Sequence, residues 1–248
     1  MSGQILVSSH SGDLISRVPI QSIRRLYKDN GETRLGRVRD GGLSERELQA
    51  IDYSIRLTRG AYVFSRSWLL VEGESDYHLM PLLFEIMGYS QDDVSFSVLE
   101  ISQVMDKGEP FIKFAKALGI EWFLMADGDA AGRSYLDRAS KYVESGEELS
   151  DRARQLHQPD IEHEFWKGGF EAFVEKMVSE TRKKAIDREV NNDQDERTKR
   201  MIRAAVKKSG GKPAFARILA NEVKKRGPES IPQSIQGIIS RVGQLARG

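Results

Sequence analysis

Apolar residues come in short runs along the first two-thirds of the chain and at helical spacing along the last third. Ile5-Leu6-Val7 predicts a strand near the N-terminus. Arg24 to Tyr27 and Leu35 to Val38 flank Asp29-Asn30-Gly31, a hairpin signal, and Gly41-Gly42 then break the chain. Ser44 and Glu47 form a capping box ahead of Leu48, Ile51 and Ile55, predicting a helix over about residues 44–58. Next come three buried-strand runs, Trp68-Leu69-Leu70-Val71, Phe96 to Ile101 and Trp122-Phe123-Leu124-Met125. They alternate with helices predicted over Ser75–Met87, Pro110–Leu118 and Ala130–Val143. That alternation predicts a parallel sheet with crossover helices. The polar stretch from Glu144 to Arg154 reads as a loop.

Beyond Phe165 no strand is expected. Phe170, Phe173, Val174 and Met177 share one helix face. Met201 and Ala205, then Phe215, Ile218, Leu219 and Val223, mark two more amphipathic helices, separated from the first by the polar break Asn191 to Asp195. Ile231-Pro232 opens a last helix with Ile235, Ile238, Ile239 and Val242 inward. No internal repeat or low-complexity tract interrupts the pattern. The fold class is therefore α/β, a parallel sheet with helices on both faces followed by a small all-helical module.

Charge sharpens this picture through its distribution. The 248 residues carry 38 Lys+Arg and 37 Asp+Glu, which names no partner. Residues 1–164, however, hold 19 basic and 27 acidic side chains, whereas residues 165–248 hold 19 basic and 10 acidic. An acidic portion joined to a basic one points to nucleic acid, with metal. The absence of cysteine excludes disulfides, thiol nucleophiles, Cys-ligated zinc and iron–sulfur clusters. No apolar run approaches the roughly 20 residues that span a bilayer, and no signal-peptide pattern opens the chain. A cytoplasmic protein with no membrane association is expected.

Two acidic clusters follow strands. Glu72 and Asp76 lie in Val71-Glu72-Gly73-Glu74-Ser75-Asp76, and Asp127 and Asp129 lie in Asp127-Gly128-Asp129. Ligands bind at the carboxyl ends of strands in open parallel sheets, and Gly73 and Gly128 would let the backbone turn sharply there. Carboxylates gathered at such an edge repel one another unless cations neutralise them, and hard oxygen donors suit Mg²⁺ or Mn²⁺.

These two segments, with Ala130-Ala131-Gly132-Arg133 completing the second, resemble the toprim domain of topoisomerases, bacterial primases, recombination proteins and the OLD (overcoming lysogenisation defect) nucleases. The resemblance covers roughly residues 67–165. An aspartate four residues after the glutamate (Glu72, Asp76) is similar to the OLD version, of the class 2 type. Asp160-Ile161-Glu162-His163-Glu164 resembles the further acidic ligands that this family uses for a second metal, Glu164 being the weaker candidate. Gln4 to Ser11 with Asp13-Leu14-Ile15 resembles the last strand and switch-histidine segment of ABC-type ATPases. No P-loop is present, so His10 is given no role.

The resemblance implies residues 1–43 as the end of an ATPase domain and linker, 44–66 as a connecting helix, 67–165 as the catalytic toprim domain and 166–248 as a basic helical domain. It implies the C-terminal portion of a longer protein, monomeric as a fragment and homodimeric when whole through its ATPase part. The expected activity is a two-metal DNA endonuclease or nickase, its two Mg²⁺ or Mn²⁺ ions about 4 Å apart. Their ligands are Glu72, Asp76, Asp127, Asp129, Asp160 and Glu162, with Glu72 also a candidate for proton transfer. Lys212, in Ser209-Gly210-Gly211-Lys212-Pro213, matches a catalytic lysine of that family. Arg133, Lys183, Lys184, Lys207 and Lys208 are candidates for holding the DNA backbone without reading sequence. Topoisomerases of type IA need a tyrosine from another domain and bacterial primases a cysteine-containing zinc module, neither of which is here. The alternatives are a toprim ribonuclease or other phosphotransfer enzyme, and a non-catalytic DNA-binding toprim module.

Overall fold

The computed structural model describes residues 5–29, 31–58, 60–89, 95–102 and 105–247. Gln4 and Asn30, named in the expectations above, lie outside them. A single turn of helix, α1 (Gly12–Ile15), precedes a hairpin of β1 (Arg25–Asp29) and β2 (Glu32–Gly36), antiparallel with Tyr27 opposite Arg34. Helix α2 (Glu45–Leu57) starts at the Ser44–Glu47 capping box, as its sequence predicts. Ile5-Leu6-Val7 forms no strand. All three residues are exposed, Leu6 at 87%, because an apolar run becomes a strand only beside a partner, and none pairs with it among the described residues.

The sheet layer is built as strand–helix units: β3 (Ser67–Val71), α3 (Glu74–Ile86), β4 (Phe96–Glu100), α4 (Glu109–Leu118), β5 (Glu121–Ala126), α5 (Ala130–Ala139) and β6 (Ala153–Gln155). Among the described residues these four strands form one parallel sheet in the order β4-β3-β5-β6. Every residue of β3 is buried, the pattern of a strand covered on both faces. Strand β6 corrects the reading of Glu144–Arg154 as loop. Its three residues bury only Ala153, too short an alternation to register as a strand, and it forms because β5 offers a free edge.

Side chains leave the sheet alternately. Trp68, Leu70, Trp122 and Leu124 pack against α2, α4 and α5, whereas Leu69, Val71, Phe123 and Met125 pack against α3 and the C-terminal helices. Those helices are α6 (Ile161–Phe165), α7 (Glu171–Lys176), α8 (Glu180–Glu189), α9 (Gln194–Ser209), α10 (Lys212–Arg226) and α11 (Gln233–Arg247). The periodic residues Phe215, Leu219 and Val223 of α10 and Ile235, Ile238, Ile239 and Val242 of α11 are all buried in this second core.

Candidate functional site

Strand order and register create the site. From β3 the chain crosses to β4 on one side and then returns past β3 to β5 on the other, so the crevice at the carboxyl ends lies between β3 and β5. Val71 pairs with Met125, so Glu72 and Asp127 leave neighbouring strands side by side, and the Asp127 amide donates to Glu72 Oε2 at 3.3 Å. Asp76 lies in the first turn of α3 and accepts from the Gly73 amide at 2.9 Å. Asp129 caps α5, accepting from the Gly132 amide at 2.8 Å.

The unforeseen strand β6 brings in the third cluster. Gln155 at its end donates to the Asp127 and Asp129 carbonyls at 3.0 and 2.7 Å, and the Gly128 amide donates to the Gln158 carbonyl at 3.1 Å. Gly128 is required for this close approach rather than for a left-handed turn. A Cβ there would lie 2.2 Å from the Gln158 carbonyl oxygen. The loop so held ends in Asp160, which caps α6 and places Glu162 on its first turn. Ser75 donates to Glu162 Oε1, while Asp160 Oδ1 accepts from the His163 amide and lies 2.6 Å from His163 Nδ1. Glu164 points elsewhere. Its carboxylate takes the His157 and Gln158 amides and Ser234 Oγ, so it braces the loop.

The carboxylates press on one another. Burial, then Glu72 and Asp160, push the Asp127 carboxyl up to about 7. Asp76, 2% exposed, is raised well above the usual range by burial and by Asp127 and Glu162. Burial also raises Glu162, with Asp160 adding to it, and raises Glu72, where Lys107 partly offsets the effect. Asp160 is the exception. Burial opposes its ionisation, but the hydrogen bonds from His163 and the charge of Lys212 outweigh burial and hold it below the usual value.

This donor set suits a hard divalent cation. It is made of carboxylate oxygens, burial and mutual repulsion disfavour the ionised form of several, and Asp76 Oδ1 is buried without a hydrogen-bond partner. Among the described residues no three His, Asp or Glu side chains stand grouped to hold an ion.

Asp76, Asp127, Asp129, Asp160 and Glu162, carboxylates of all three clusters, line one cleft of about 940 Å³, whereas Glu72 is not among its lining residues. Lys212 lines it from the first position of α10, after Gly210 (φ 96°) and Gly211 (φ 108°) turn the chain in a conformation that favours glycine. Lys207 lines it as well. Arg133, Lys184 and Lys208 are exposed away from the lining, and Lys183 is tied to Glu180 at 2.7 Å. Sequence reasoning missed Lys167, Lys199 and Arg203, which complete the basic wall, although the spacing of 199, 203 and 207 places them on one helix face. It also missed Lys107, whose Nζ sits 4.6 Å from the Tyr135 ring centroid.

Residues 63–129 match the family described as the overcoming lysogenization defect protein-like TOPRIM domain, and residues 1–61 match a family of unknown function, DUF2813. The chain is 30% identical over 246 residues to the uncharacterized protein YbjD of Escherichia coli (strain K12); this alignment takes in 99% of the chain and 42% of that relative's length. Among solved structures, the C-terminal region of the Burkholderia pseudomallei OLD protein superposes with a TM-score of 0.57 at 20% identity, covering 74% of this chain and 99% of that one. The C-terminal region of the Xanthomonas campestris pv. campestris OLD protein gives 0.55 at 18%, covering 74% and 95%. No helix among the described residues is long and apolar enough to cross a membrane. Residues 63–129 therefore match an OLD-like toprim domain, and the chain shares the fold of the C-terminal region of OLD proteins.

Proposed function

We infer that the chain is a metal-dependent nuclease that hydrolyses internal phosphodiester bonds of DNA. Glu72, Asp76, Asp127, Asp129, Asp160 and Glu162 would hold two Mg²⁺ or Mn²⁺ ions. The observation that carries this reading is the convergence of Asp76, Asp127, Asp129, Asp160 and Glu162 in one cleft that Lys212 also lines, with Glu72 bonded to the Asp127 amide beside it. Bound there, divalent ions supply a water of lowered pKa and positive charge beside the phosphate. Lys212 offers its ammonium to the phosphate oxygens as negative charge gathers on them. Glu72, beside the cleft at the Asp127 amide, is the candidate to pass a proton in this reading. A preceding ABC-type ATPase domain in the same cytoplasmic protein, dimerising the whole, belongs to this reading. It is supported by the separate family match of residues 1–61 and by the share of the longer relative that the chain spans.

A second reading, a toprim that binds nucleic acid without cutting it, is favoured by the lack of a closed ligand group among the described residues. Incubation with supercoiled plasmid separates the two. Nicking and linearisation in Mg²⁺ or Mn²⁺, lost in chelator and in Asp127→Ala, are expected. Retained cutting in Asp127→Ala removes this site from the reaction, and no cutting in either metal favours the binder. Lys212→Ala should stop cleavage with DNA affinity nearly unchanged; a proportional loss of both reduces it to a phosphate contact.

A further inference from the structure

The cations of helix α9 are not all held alike. Arg197 is held by Glu175 and Asp187 at 2.7 and 2.8 Å, and Arg200 by Glu189 and Glu196 at 2.6 and 2.7 Å. Lys199, Arg203 and Lys207 line the cleft instead, and none makes an ion pair or side-chain hydrogen bond with any described residue. Glu196 feels the charge of Lys199 and Arg203 but is itself bonded to Arg200. No cation on the face that borders the site is paired; Lys208, exposed off that face in the last turn, is unpaired among the described residues as well. Like charges four residues apart on a helix repel, so an unneutralised row is a cost that solubility alone does not explain.

The row also has a direction. At a rise of 1.5 Å per residue its members stand about 6 Å apart and span about 12 Å in all. Asp193, Asp195 and Glu196 line the cleft beside the N-terminal end of α9, where a polyanion would be repelled. At the other end the chain turns through Gly210 and Gly211 to Lys212.

We propose that Lys199, Arg203 and Lys207 form a phosphate track that lays one nucleic-acid strand, held through its backbone and not its bases, against Lys212 and the carboxylate floor. One strand presents a phosphate about every 3.4 Å of axis, so about 12 Å accommodates three or four phosphates. The proposal deepens the nuclease reading by naming how its substrate is held, but the binding it describes does not need the cut.

The test is fluorescence anisotropy of a labelled single-stranded DNA of about 20 nucleotides, its RNA counterpart and the DNA duplex, in chelator across a salt series. The variant K199Q/R203Q/K207Q should bind the single strand at least about tenfold more weakly at low salt. Its slope of log affinity against log salt should fall by about 2. DNA and RNA strands should be affected alike. A charge-matched variant, R37Q/R39Q/R46Q, alters exposed residues outside the cleft and should stay within about twofold. Thermal melting should show the row variant as stable as the parent or more so; should it unfold, the three single variants take its place, each expected to lower the slope by about 0.7.

Equal losses in the row and control variants would reduce the effect to net charge and overturn the track. So would an unchanged affinity in the row variant, or a loss confined to the duplex. A parent that binds through the row but cuts nothing in Mg²⁺ or Mn²⁺ removes the nuclease reading and leaves the track. A row variant that binds and cuts as the parent does removes the track and leaves the reading.

Discussion

Asp127 spends its folded life next to four other acids, and the consequence is measurable as pH-dependent stability. In the unfolded chain its carboxyl ionises near the ordinary aspartate value of 3.8, whereas in the fold it is pushed up to about 7 by burial and by Glu72, Asp160, Asp129 and Glu162. Between those values the folded protein keeps a proton that the unfolded chain has released, so stability without metal falls as pH rises through the window. Asp160 has the opposite sign. Held below 3.8, it contributes stability above that value and loses it only in stronger acid, so the two windows do not overlap. In chelator, the melting temperature should therefore be lower near pH 8 than near pH 5. Asp127→Asn should raise it near pH 8 and flatten the difference, and excess Mn²⁺ should raise it in the parent, since a ligand that binds only the fold stabilises it. A less stable Asp127→Asn near pH 8 would show that the carboxylate is a paired anion and that the repulsion argument is wrong.

At the scale of elements, the site depends on how β6 and its following loop dock on β5. Gly128 is where they touch, and Gly128→Ala places a methyl 2.2 Å from the Gln158 carbonyl oxygen. The loop carrying Asp160 must then move. A loss of stability of about 1–3 kcal/mol is expected, read by denaturant melting, together with a fall in cleavage of at least about 100-fold, because displacements near 1 Å are that costly to catalysis. Unchanged cleavage in a folded variant would mean that Asp160 and Glu162 act independently of this contact. The same region shows what the sequence could reveal. Glu72, Asp76, Asp127 and Asp129 were legible because each follows a strong apolar strand and begins a helix, signals that are local. That Asp160 joins them depends on β6, three residues with one buried side chain, whose pairing is a property of the free edge of β5. Ile5-Leu6-Val7 failed in the opposite sense, since its run is strand-like but the pairing that makes a strand lies outside any local pattern. The basic wall was half legible: Lys207 and Lys212 were named, but the choice between Lys183 or Lys184 and Lys199 or Arg203 turns on which helix face meets the cleft.

Across the whole molecule, carboxylates from the acidic portion of the sequence and cations from the basic portion line one cleft, and their alignment is only as firm as the core beneath them. That core does not divide at residue 165. Leu69, Val71, Phe123 and Met125 of the sheet share it with Leu79, Leu83 and Phe84 of α3, Phe215 and Leu219 of α10 and Ile235 and Ile239 of α11. Helix α10 packs along α3, and α11 lies against β3, β4 and β5. Uncovering a buried large apolar side chain costs about 1.5–3 kcal/mol, against a total stability of about 5–15 kcal/mol for an ordinary domain. Removing α7 to α11 strips cover from more of these side chains than that margin allows. A chain ended after Phe165 should therefore lack a cooperative melting transition and near-ultraviolet circular dichroism while binding a hydrophobic dye, the behaviour of a collapsed but unpacked state. A sharp melt with intact near-ultraviolet signal would show that the sheet layer stands alone and that the basic helices are an attachment to it. The expected failure instead makes the helices part of the site's scaffold: the same apolar contacts that stabilise the sheet fix Lys212 and α9 relative to the carboxylates, so a substitution such as Leu219→Ala, far from any charge, should loosen the cleft as well as lower the melting temperature.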